Sequence, residues 1–232
     1  MRLNKAIAHA GYCSRRSADN LIKQGAVCVN GIVVDNCATQ VSSVDVVTVN
    51  GQKLEHQEKV RLWCFYKPVG LVTTHFDPQG RPTVFDFIKS KMPDISHLVS
   101  IGRLDINSEG LLLLTNNGDL AKQMMHPSSG LARIYRVRVY GEVSVDQLRK
   151  LTKPFVIEGM RYKPFEFLSP LNSLKRGNHW LELRLYEGKY REIRKAMNSI
   201  GLQVNRLLRT DYGSFSLGKH KPGDIWEVKY VD

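Results

Sequence analysis

The sequence has little cysteine, no long apolar run and no nucleotide-binding fingerprint. Its four cysteines include no Cys-x-x-Cys pair, and no Cys/His cluster has the spacing of zinc ligands. Without a stretch of about 18 apolar residues, the chain is not expected to span a membrane. Residues 1–5 lead into no apolar run, so we expect no secretory signal. These absences predict a cytoplasmic protein with reduced thiols and no bound metal.

Acidic residues are scarce relative to basic ones. The chain has 34 Lys and Arg against 22 Asp and Glu, a formal net charge of +12. This surplus favours a polyanionic partner, nucleic acid first and an anionic membrane surface second, over a merely solvated basic surface. The first 59 residues carry seven basic and five acidic residues, and the rest carry 27 and 17. The larger part is therefore expected to touch the polyanion too.

The N-terminal sequence predicts a small domain that begins with helices. The 232 residues, 42% of them apolar, have room for one medium domain and a small one. Apolar residues at helical spacing predict two short helices within residues 2–24, with Ser14 as the N-cap of the second. Basic side chains on these helices can hold phosphates on one face, although a solvated helical face has the same pattern.

A hairpin and a linker are predicted to follow the helices. Residues 27–34 predict two strands around an Asn-Gly turn, and a further strand is expected near 44–49. Residues 52–59 are polar without periodicity and are expected to be the linker. The predicted domains are therefore residues 1–55 and 60–232.

From residue 61 onward the patterns predict a sheet with helices packed on it. Strands outnumber helices and lack a regular βαβ rhythm, which predicts an α+β fold. Helices are expected at 85–89, 120–125, 145–151 and 191–200. Strands are expected at 62–66, 111–114, 135–143, 180–186, 206–208 and 225–230.

An arginine and an aspartate stand together in a glycine-flanked loop ahead of the apolar run 111–114. Arg103 and Asp105 belong to the segment Gly-Arg-Leu-Asp at 102–105. Polar residues so close to a core are either structural or functional. An Arg103–Asp105 pair that holds a turn is one interpretation, and a catalytic carboxylate is the other.

The segment 101–118 resembles the signature of the RNA pseudouridine synthases, in the branch of the RsuA and RluB enzymes. In that family the aspartate of Gly-Arg-Leu-Asp is the nucleophile, so the resemblance implies this role for Asp105. It also implies a catalytic domain with a mixed, mostly antiparallel sheet. Other segments resemble family motifs in the same order: 66–70, which frames the active site, 77–86 and 125–128, which look like RluB-type members, and 187–195, the late basic motif.

The N-terminal segment 2–31 resembles the small RNA-binding module named after ribosomal protein S-four. That resemblance implies structured RNA as the ligand. With the motifs above, the likeness covers nearly the whole chain. It implies ribosomal RNA or a pre-ribosomal particle as partner. We expect the chain to be a monomer.

The resemblance implies roles for particular residues. Tyr135 stands 30 residues after Asp105, at the place of the family's active-site tyrosine. The late basic motif supplies a cation for the aspartate, and among its basic residues we prefer Arg194. The residues expected to bind RNA are Arg103, Lys67, Lys189, Arg191, Arg2, Lys5, Arg15 and Arg16.

The chain departs from the family pattern at two places. Lys189 and Tyr190 stand where relatives often have Arg and Asn or His, and Asn107 and Ser108 replace the commoner Asp and Thr. These departures bear on the choice of substrate and leave the expected reaction unchanged.

Pseudouridine formation breaks the C1′–N1 bond, rotates the uracil and rejoins it through C5. The reaction needs no redox step and no energy input, so no cofactor is expected. Desolvation disfavours a carboxylate, so Asp105 requires a nearby cation whatever the family. Flipping the target base out of its stack costs about a few kcal/mol, and stacking on an aromatic side chain such as Tyr135 offsets this cost. Arg103 can fill the position that the base leaves, or it can bind a phosphate. Attack at C1′, attack at C6 and removal of a sugar proton all stay open.

Two other functions compete with the synthase. A non-catalytic RNA-binding or ribosome-assembly factor would keep the fold without the reaction. A hydrolase would use Asp105 with a second carboxylate, Glu109 or Glu187, at about 5–10 Å. For a synthase, the RluB-like segments favour large-subunit ribosomal RNA, whereas the chain length is closer to small-subunit members of the branch.

Overall fold

The computed structural model describes residues 1–54, 59–95 and 97–229, which form a small N-terminal unit and a larger unit, each with its own sheet. In the small unit, helices α1 (Leu3–His9) and α2 (Arg15–Lys23) precede strands β1 (Val27–Val29), β2 (Ile32–Val33), β3 (Val47–Val49) and β4 (Gln52–Lys53). The strand order is β2-β1-β3-β4, with antiparallel pairs.

The two N-terminal helices form as predicted because their apolar residues share one face. Leu3 and Ile7 of α1 and Ala18 and Ile22 of α2 are fully buried in the core of the small unit. The side chain of Ser14 accepts a hydrogen bond from a backbone amide of the first turn of α2, which confirms it as the N-cap.

The prediction that residues 52–59 form a linker is wrong for its first two residues, which form a strand. Asn50 and Gly51 have positive φ angles, 50° and 77°. These values are close to the 53° and 82° of Asn30 and Gly31 in the first Asn-Gly turn. Such a two-residue turn pairs the flanking strands, so Gln52–Lys53 forms β4. Residues 55–58 of the predicted linker lie outside the described residues.

The larger unit is built on a nine-stranded sheet. Its elements are β5 (Leu62–Lys67), α3 (Val84–Lys91), β6 (Val99–Ile101), β7 (Glu109–Thr115), α4 (Gly118–Met125), β8 (Arg133–Val143), α5 (Val145–Lys150), β9 (Phe155–Ile157), β10 (Met160–Tyr162), β11 (Glu166–Phe167), β12 (Leu174–Leu185), α6 (Glu192–Ser199), β13 (Gln203–Tyr212), β14 (Phe215–Ser216) and β15 (Ile225–Val228).

The sheet is mixed but mostly antiparallel. Its main order is β11-β12-β8-β13-β7-β5-β15, with β6 on β7, β14 on β13, and β9–β10 as a separate hairpin. The β7–β13 pair is parallel, and the other described pairs are antiparallel. The predicted α+β fold is confirmed.

Strand β7 carries four consecutive leucines, Leu111–Leu114, because both of its faces are buried. Leu112 and Leu114 pack in the core on one face, together with α3, α5 and α6. Leu111 and Leu113 pack in the core on the other face, together with α4. This arrangement places the loop before β7 at the edge of a rigid, covered part of the sheet.

Several strands of the larger unit were underestimated or missed. Strand β13 extends over Gln203–Tyr212 rather than 206–208, although six of its ten residues are polar or charged. The hairpin β9–β10 and the short strands β6, β11 and β14 were not predicted. Strand β15 ends at Val228, and residue 230 of its predicted range lies outside the described residues. Among the described residues, no helix combines the length and the apolar character that a membrane span requires.

Candidate active site

The loop that carries Asp105 spans residues 102–108, between β6 and β7. The Ser108 amide donates to the Asp105 carbonyl at 2.9 Å, which closes the loop from within. The Gly70 amide, just after β5, donates to the Ile106 carbonyl at 2.8 Å. The loop is therefore tied to the segment 66–70, Tyr-Lys-Pro-Val-Gly, which resembles the early family motif.

Lys67, which we expected to bind RNA, is fully buried at the end of β5. Its Nζ donates to the carbonyls of Pro68 at 3.0 Å, Asp105 at 3.2 Å and Ser108 at 2.9 Å. Burial lowers the pKa of Lys67 to about 8, although the charge of Asp105 acts in the opposite direction. An ammonium group without solvent exposure does not reach a phosphate, so the expectation is corrected. Lys67 holds the Asp105 loop from behind.

Asp105 lies in the wall of a cavity of about 490 Å³. Pockets that take small ligands span about 300–1,000 Å³, so the cavity can receive a nucleotide. Five basic and three acidic side chains line it: Arg103, Arg133, Lys189, Arg191, Arg209, Asp105, Glu187 and Glu192. Among the described residues, no group of three or more His, Cys, Asp or Glu is arranged to hold a metal ion.

The guanidinium that approaches the Asp105 carboxylate belongs to Arg191, at 4.0 Å. Arg191 precedes α6 with a φ of 51°, a left-handed backbone that turns the chain just before the helix begins. We expected Arg194 to be the partner, but its guanidinium donates to the carbonyls of Val204 at 3.1 Å and Asn107 at 2.8 Å. Burial and the neighbouring Arg191 lower the pKa of Arg194, whereas Asp105 raises it. Arg194 therefore restrains the Asp105 loop through Asn107, and it lies close enough to Asp105 for the two charges to interact.

Tyr135 belongs to the core and to the cavity wall at the same time. It is 8% exposed on β8, where its cross-strand neighbours are Leu183 and Arg209. Val137, two residues further along the strand, is fully buried on the same face. Tyr135 thus faces the cavity that Asp105 lines, with little freedom to move.

Residues 187–192 form one side of the cavity, and ion pairs and hydrogen bonds hold this segment in place. The Lys189 Nζ lies 3.0 Å from the Glu187 carboxylate, and it also donates to the Arg161 carbonyl on β10. The Lys189 amide donates to the Glu192 carboxylate at 2.9 Å. Burial, and then the neighbouring Glu187, raise the pKa of Glu192 to about 8. Lys189 therefore lines the cavity as expected, but it is already paired with a carboxylate.

The two glutamates of the hydrolase alternative have partners. Glu109 is ion-paired with Arg206 of β13, and it does not line the cavity. Glu187 lines the cavity, but it accepts a hydrogen bond from the Lys163 amide at 2.6 Å in addition to its contact with Lys189. The arrangement does not favour two free carboxylates acting on one glycosidic bond.

The basic residues of the N-terminal unit divide into two groups. Arg2, Arg15 and Arg16 are exposed. Lys5 instead pairs with Asp119, at the start of α4, with 2.7 Å between Nζ and the carboxylate. Lys5 therefore contacts the larger unit, whereas the three arginines stay open to a ligand.

The family profile described as RNA pseudouridylate synthase matches residues 61–199, which is more than half of the chain. The chain belongs to this family. A second profile, described as the S4 domain, matches residues 1–47 of the synthase. The two matches confirm the predicted family and the predicted pair of folds.

Relatives of the synthase extend over nearly its whole length. An uncharacterized RNA pseudouridine synthase of Rickettsia bellii is 49% identical over 229 residues, which are 98% of this chain and 96% of its own. Ribosomal large subunit pseudouridine synthase B of Yersinia pestis is 38% identical over 233 residues, 97% of this chain and 71% of its own. A crystal structure of a pseudouridylate synthase matches with a TM-score of 0.67 and 25% identity, over 99% of this chain and 96% of that chain.

Three cavity residues of the synthase were not predicted. Arg209 is 2% exposed, and its Nε donates to the Leu111 carbonyl at 2.7 Å. Arg133 donates to the Tyr212 hydroxyl at 2.8 Å, and its guanidinium lies 4.7 Å from the centre of the Tyr212 ring. Arg133 is two residues before Tyr135, so strand alternation was a signal for it. Arg209 and Tyr212 belong to no motif that was singled out.

Proposed function

We propose that this synthase isomerises a uridine of ribosomal RNA, with large-subunit RNA as the first candidate. The position of Asp105 carries the proposal: its side chain is 32% exposed on a braced loop, in a cavity that can receive a nucleotide, beside a guanidinium. The printed name of the Yersinia pestis relative, a ribosomal large subunit pseudouridine synthase, supports the choice of RNA.

Asp105 is proposed as the nucleophile. Two basic residues near it are proposed to have different roles, one toward its charge and one toward its position. The Arg191 guanidinium, 4.0 Å from the carboxylate, is proposed to offset the negative charge of Asp105 as the cavity fills and water leaves. Arg194 is proposed as a positioning residue, because its bond to the Asn107 carbonyl restrains the loop that presents Asp105. This division revises our preference for Arg194 as the ion-pair partner.

Tyr135 and Arg103 are proposed to receive the flipped nucleotide. The Tyr135 ring, anchored in the core, offers the base a flat surface whose position does not have to be ordered on binding. Arg103 is exposed at the cavity, where a guanidinium can grip a phosphate or occupy the space that the flipped base leaves.

The two units are proposed to divide binding and chemistry at the predicted boundaries, 1–55 and 60–232. The exposed Arg2, Arg15 and Arg16 support phosphate binding by the N-terminal domain. The Lys5–Asp119 ion pair supports a fixed approach of that domain to the catalytic domain. RNA held by the first would then enter the cavity of the second.

The test is to map pseudouridine in both ribosomal RNAs from cells with and without the gene. Carbodiimide modification followed by primer extension marks each pseudouridine as a stop. We expect one stop, in large-subunit RNA, to disappear on deletion, to return with the wild-type gene and to stay absent with Asp105→Asn. A stop lost from small-subunit RNA instead would replace the target and leave the chemistry standing.

The same cells distinguish a non-catalytic assembly factor from the synthase. An assembly factor predicts that Asp105→Asn complements growth fully, whereas Arg15→Gln with Arg16→Gln does not. Pseudouridine that persists at the wild-type level in cells carrying only Asp105→Asn would contradict the proposed role of this residue.

A further inference from the structure

The face of the large sheet opposite the Asp105 cavity is exposed where β13, β8 and β12 lie side by side. Tyr135 and Val137 of β8 point to the cavity face, so their neighbours along the strand point away from it. Six exposed side chains on this opposite face form what we call the back-face platform: Arg136, Arg138, Tyr140, Asn178, Trp180 and Arg206.

Strand register brings these side chains together. Arg138 is paired with Trp180 on one side and with Arg206 on the other, and Tyr140 is paired with Asn178. Directly paired residues share a face, with their Cβ atoms about 5 Å apart. The platform is therefore one continuous surface across three strands.

The platform exposes two aromatic rings together with arginines. Trp180 is 42% exposed and Tyr140 is 39% exposed. The Arg136 guanidinium lies 5.1 Å from the centre of the Trp180 ring, and that of Arg206 lies 6.0 Å from it. Flat π-systems and guanidinium planes are the surfaces on which unpaired bases stack.

Charge favours a polyanion over a protein as the partner. Trp, Tyr and Arg also dominate protein hot spots, so residue type alone does not decide. Two of the three arginines have an acidic neighbour: Arg206 is ion-paired with Glu109, and Arg136 is paired across the strands with Glu182. Arg138 has no acidic cross-strand partner, because it is paired with Trp180 and Arg206. The chain beyond residue 59, to which the platform belongs, carries 27 basic and 17 acidic residues, and RNA is the polyanion of its family.

We propose that the back-face platform binds an unpaired segment of the substrate RNA, separate from the nucleotide that enters the Asp105 cavity. This inference rests on the proposed function, because it takes RNA as the substrate. The two sites lie on opposite faces of one sheet, so the RNA passes around the sheet edge between them. The platform thus favours substrates with an unpaired segment several nucleotides away from the target uridine.

The test compares RNA affinities of full-length variants by fluorescence anisotropy with a labelled oligouridylate. Stacking contributes about 1–3 kcal/mol per base, so Trp180→Ala is expected to weaken binding by about fivefold to 150-fold. Trp180→Phe keeps a ring and is expected to bind within about threefold of wild type. Arg138→Gln should lower the slope of log affinity against log salt by about 0.7, whereas Arg149→Gln, a matched loss of charge on α5, should leave it unchanged.

Folding and catalysis are measured on the same proteins. Trp180→Ala should unfold in urea at nearly the wild-type midpoint, because it loses only exposed cation–π contacts. In steady-state kinetics Trp180→Ala should raise KM for RNA about as much as it weakens binding and change kcat little, because the platform does not touch the reacting atoms. If the wild-type protein makes no pseudouridine in any RNA, the proposed function is wrong, whatever RNA affinities the variants show.

Two results would overturn the platform while the proposed function stands. One is equal affinity of Trp180→Ala and wild type for RNA, with pseudouridine formed by both. The other is a change in sedimentation of the free protein on substitution of Trp180 without a change in RNA affinity, which would make the face an interface between copies of the chain.

Discussion

At the scale of single residues, the site separates the groups that hold the Asp105 backbone from the group that meets its charge. The Lys67 Nζ and the Ser108 amide both bind the Asp105 carbonyl, at 3.2 Å and 2.9 Å. The carboxylate itself is left to the Arg191 guanidinium and to the cavity. A rigid backbone with an open carboxylate suits a nucleophile that has to reach a substrate atom.

Lys67→Met should destabilise the fold as well as the site. The methionine fits a buried position of similar length, but it leaves three carbonyls without their shared donor. Buried carbonyls that lose a partner cost about 1–3 kcal/mol each before relaxation, so we expect a loss of about 2–4 kcal/mol in urea unfolding. The exposed Lys153→Met should change stability by less than about 0.5 kcal/mol. Equal stability of the two variants would contradict the role given to Lys67.

Arg191→Gln should act on turnover more than on binding. Removing the guanidinium beside the Asp105 carboxylate is expected to lower kcat about ten- to hundredfold with KM nearly unchanged, and Arg191→Lys should restore part of the loss. Steady-state kinetics on one RNA transcript make the measurement, with Arg184→Gln as a matched arginine loss outside the cavity lining. A change confined to KM would assign Arg191 to RNA binding alone.

Single residues were predictable where a local motif names them. Asp105, Arg103 and Arg191 were singled out from short segments, and the structure brings all three to one cavity. The use of Lys67 was not predictable, because its motif gives the residue but not its burial. Arg209 was missed because its place in the cavity depends on how β13 pairs with β7 and β8, which is a property of the sheet.

At the scale of elements, the parallel contact between β7 and β13 requires a residue without a side chain. Gly110 has a φ of +106°, and a Cβ there would overlap the backbone of Arg209. The close approach sets the start of β7 directly after the Asp105 loop. Local strand packing and the position of the site are therefore linked at Gly110.

Gly110→Ala should destabilise the synthase strongly. Overlap with rigid backbone and a φ disfavoured for L-residues together are expected to cost about 3 kcal/mol or more. The matched control is Gly118→Ala at the start of α4, where a Cβ meets nothing within 4 Å, and stability should change by less than about 1 kcal/mol. Thermal or urea unfolding of both proteins checks this, and a well-tolerated Gly110→Ala would show that β7 and β13 lie further apart.

Elements were predictable where apolar residues recur at a regular spacing or form a continuous run. The helices α1, α2 and α4 and the buried strand β7 follow directly from apolar spacing. Strand β13 was underestimated because it lies between two other strands, whose pairing holds its polar residues in an extended conformation. The hairpin β9–β10 was missed because short, partly exposed strands have no clear alternation.

At the scale of the whole molecule, one basic residue of the N-terminal helices contacts the larger unit, while others stay exposed. Lys5 meets Asp119 of α4, while Arg15 and Arg16 face solvent. The ion pair is partly exposed, so its contribution is expected to be about 0–1 kcal/mol. Sequence spacing predicted this helical basic face, but it did not predict that one lysine of the face would be used within the protein.

RNA affinity should depend steeply on salt, and less so without the helical arginines. If Arg15 and Arg16 each neutralise a phosphate, the double substitution Arg15→Gln with Arg16→Gln should reduce the slope of log affinity against log salt by about 1.5. Filter binding of a ribosomal RNA transcript over a salt series makes the measurement. A slope equal to that of the wild type would mean that these arginines belong to a solvated face.

The central claim, that Asp105 performs the reaction on a uridine of RNA, is tested most directly with purified protein. Tritium released from the C5 position of uridine in a ribosomal RNA transcript reports each turnover. We predict that Asp105→Asn lowers the rate about a thousandfold or more while its affinity for the transcript stays within about threefold of wild type. Release at the wild-type rate from Asp105→Asn would contradict the account.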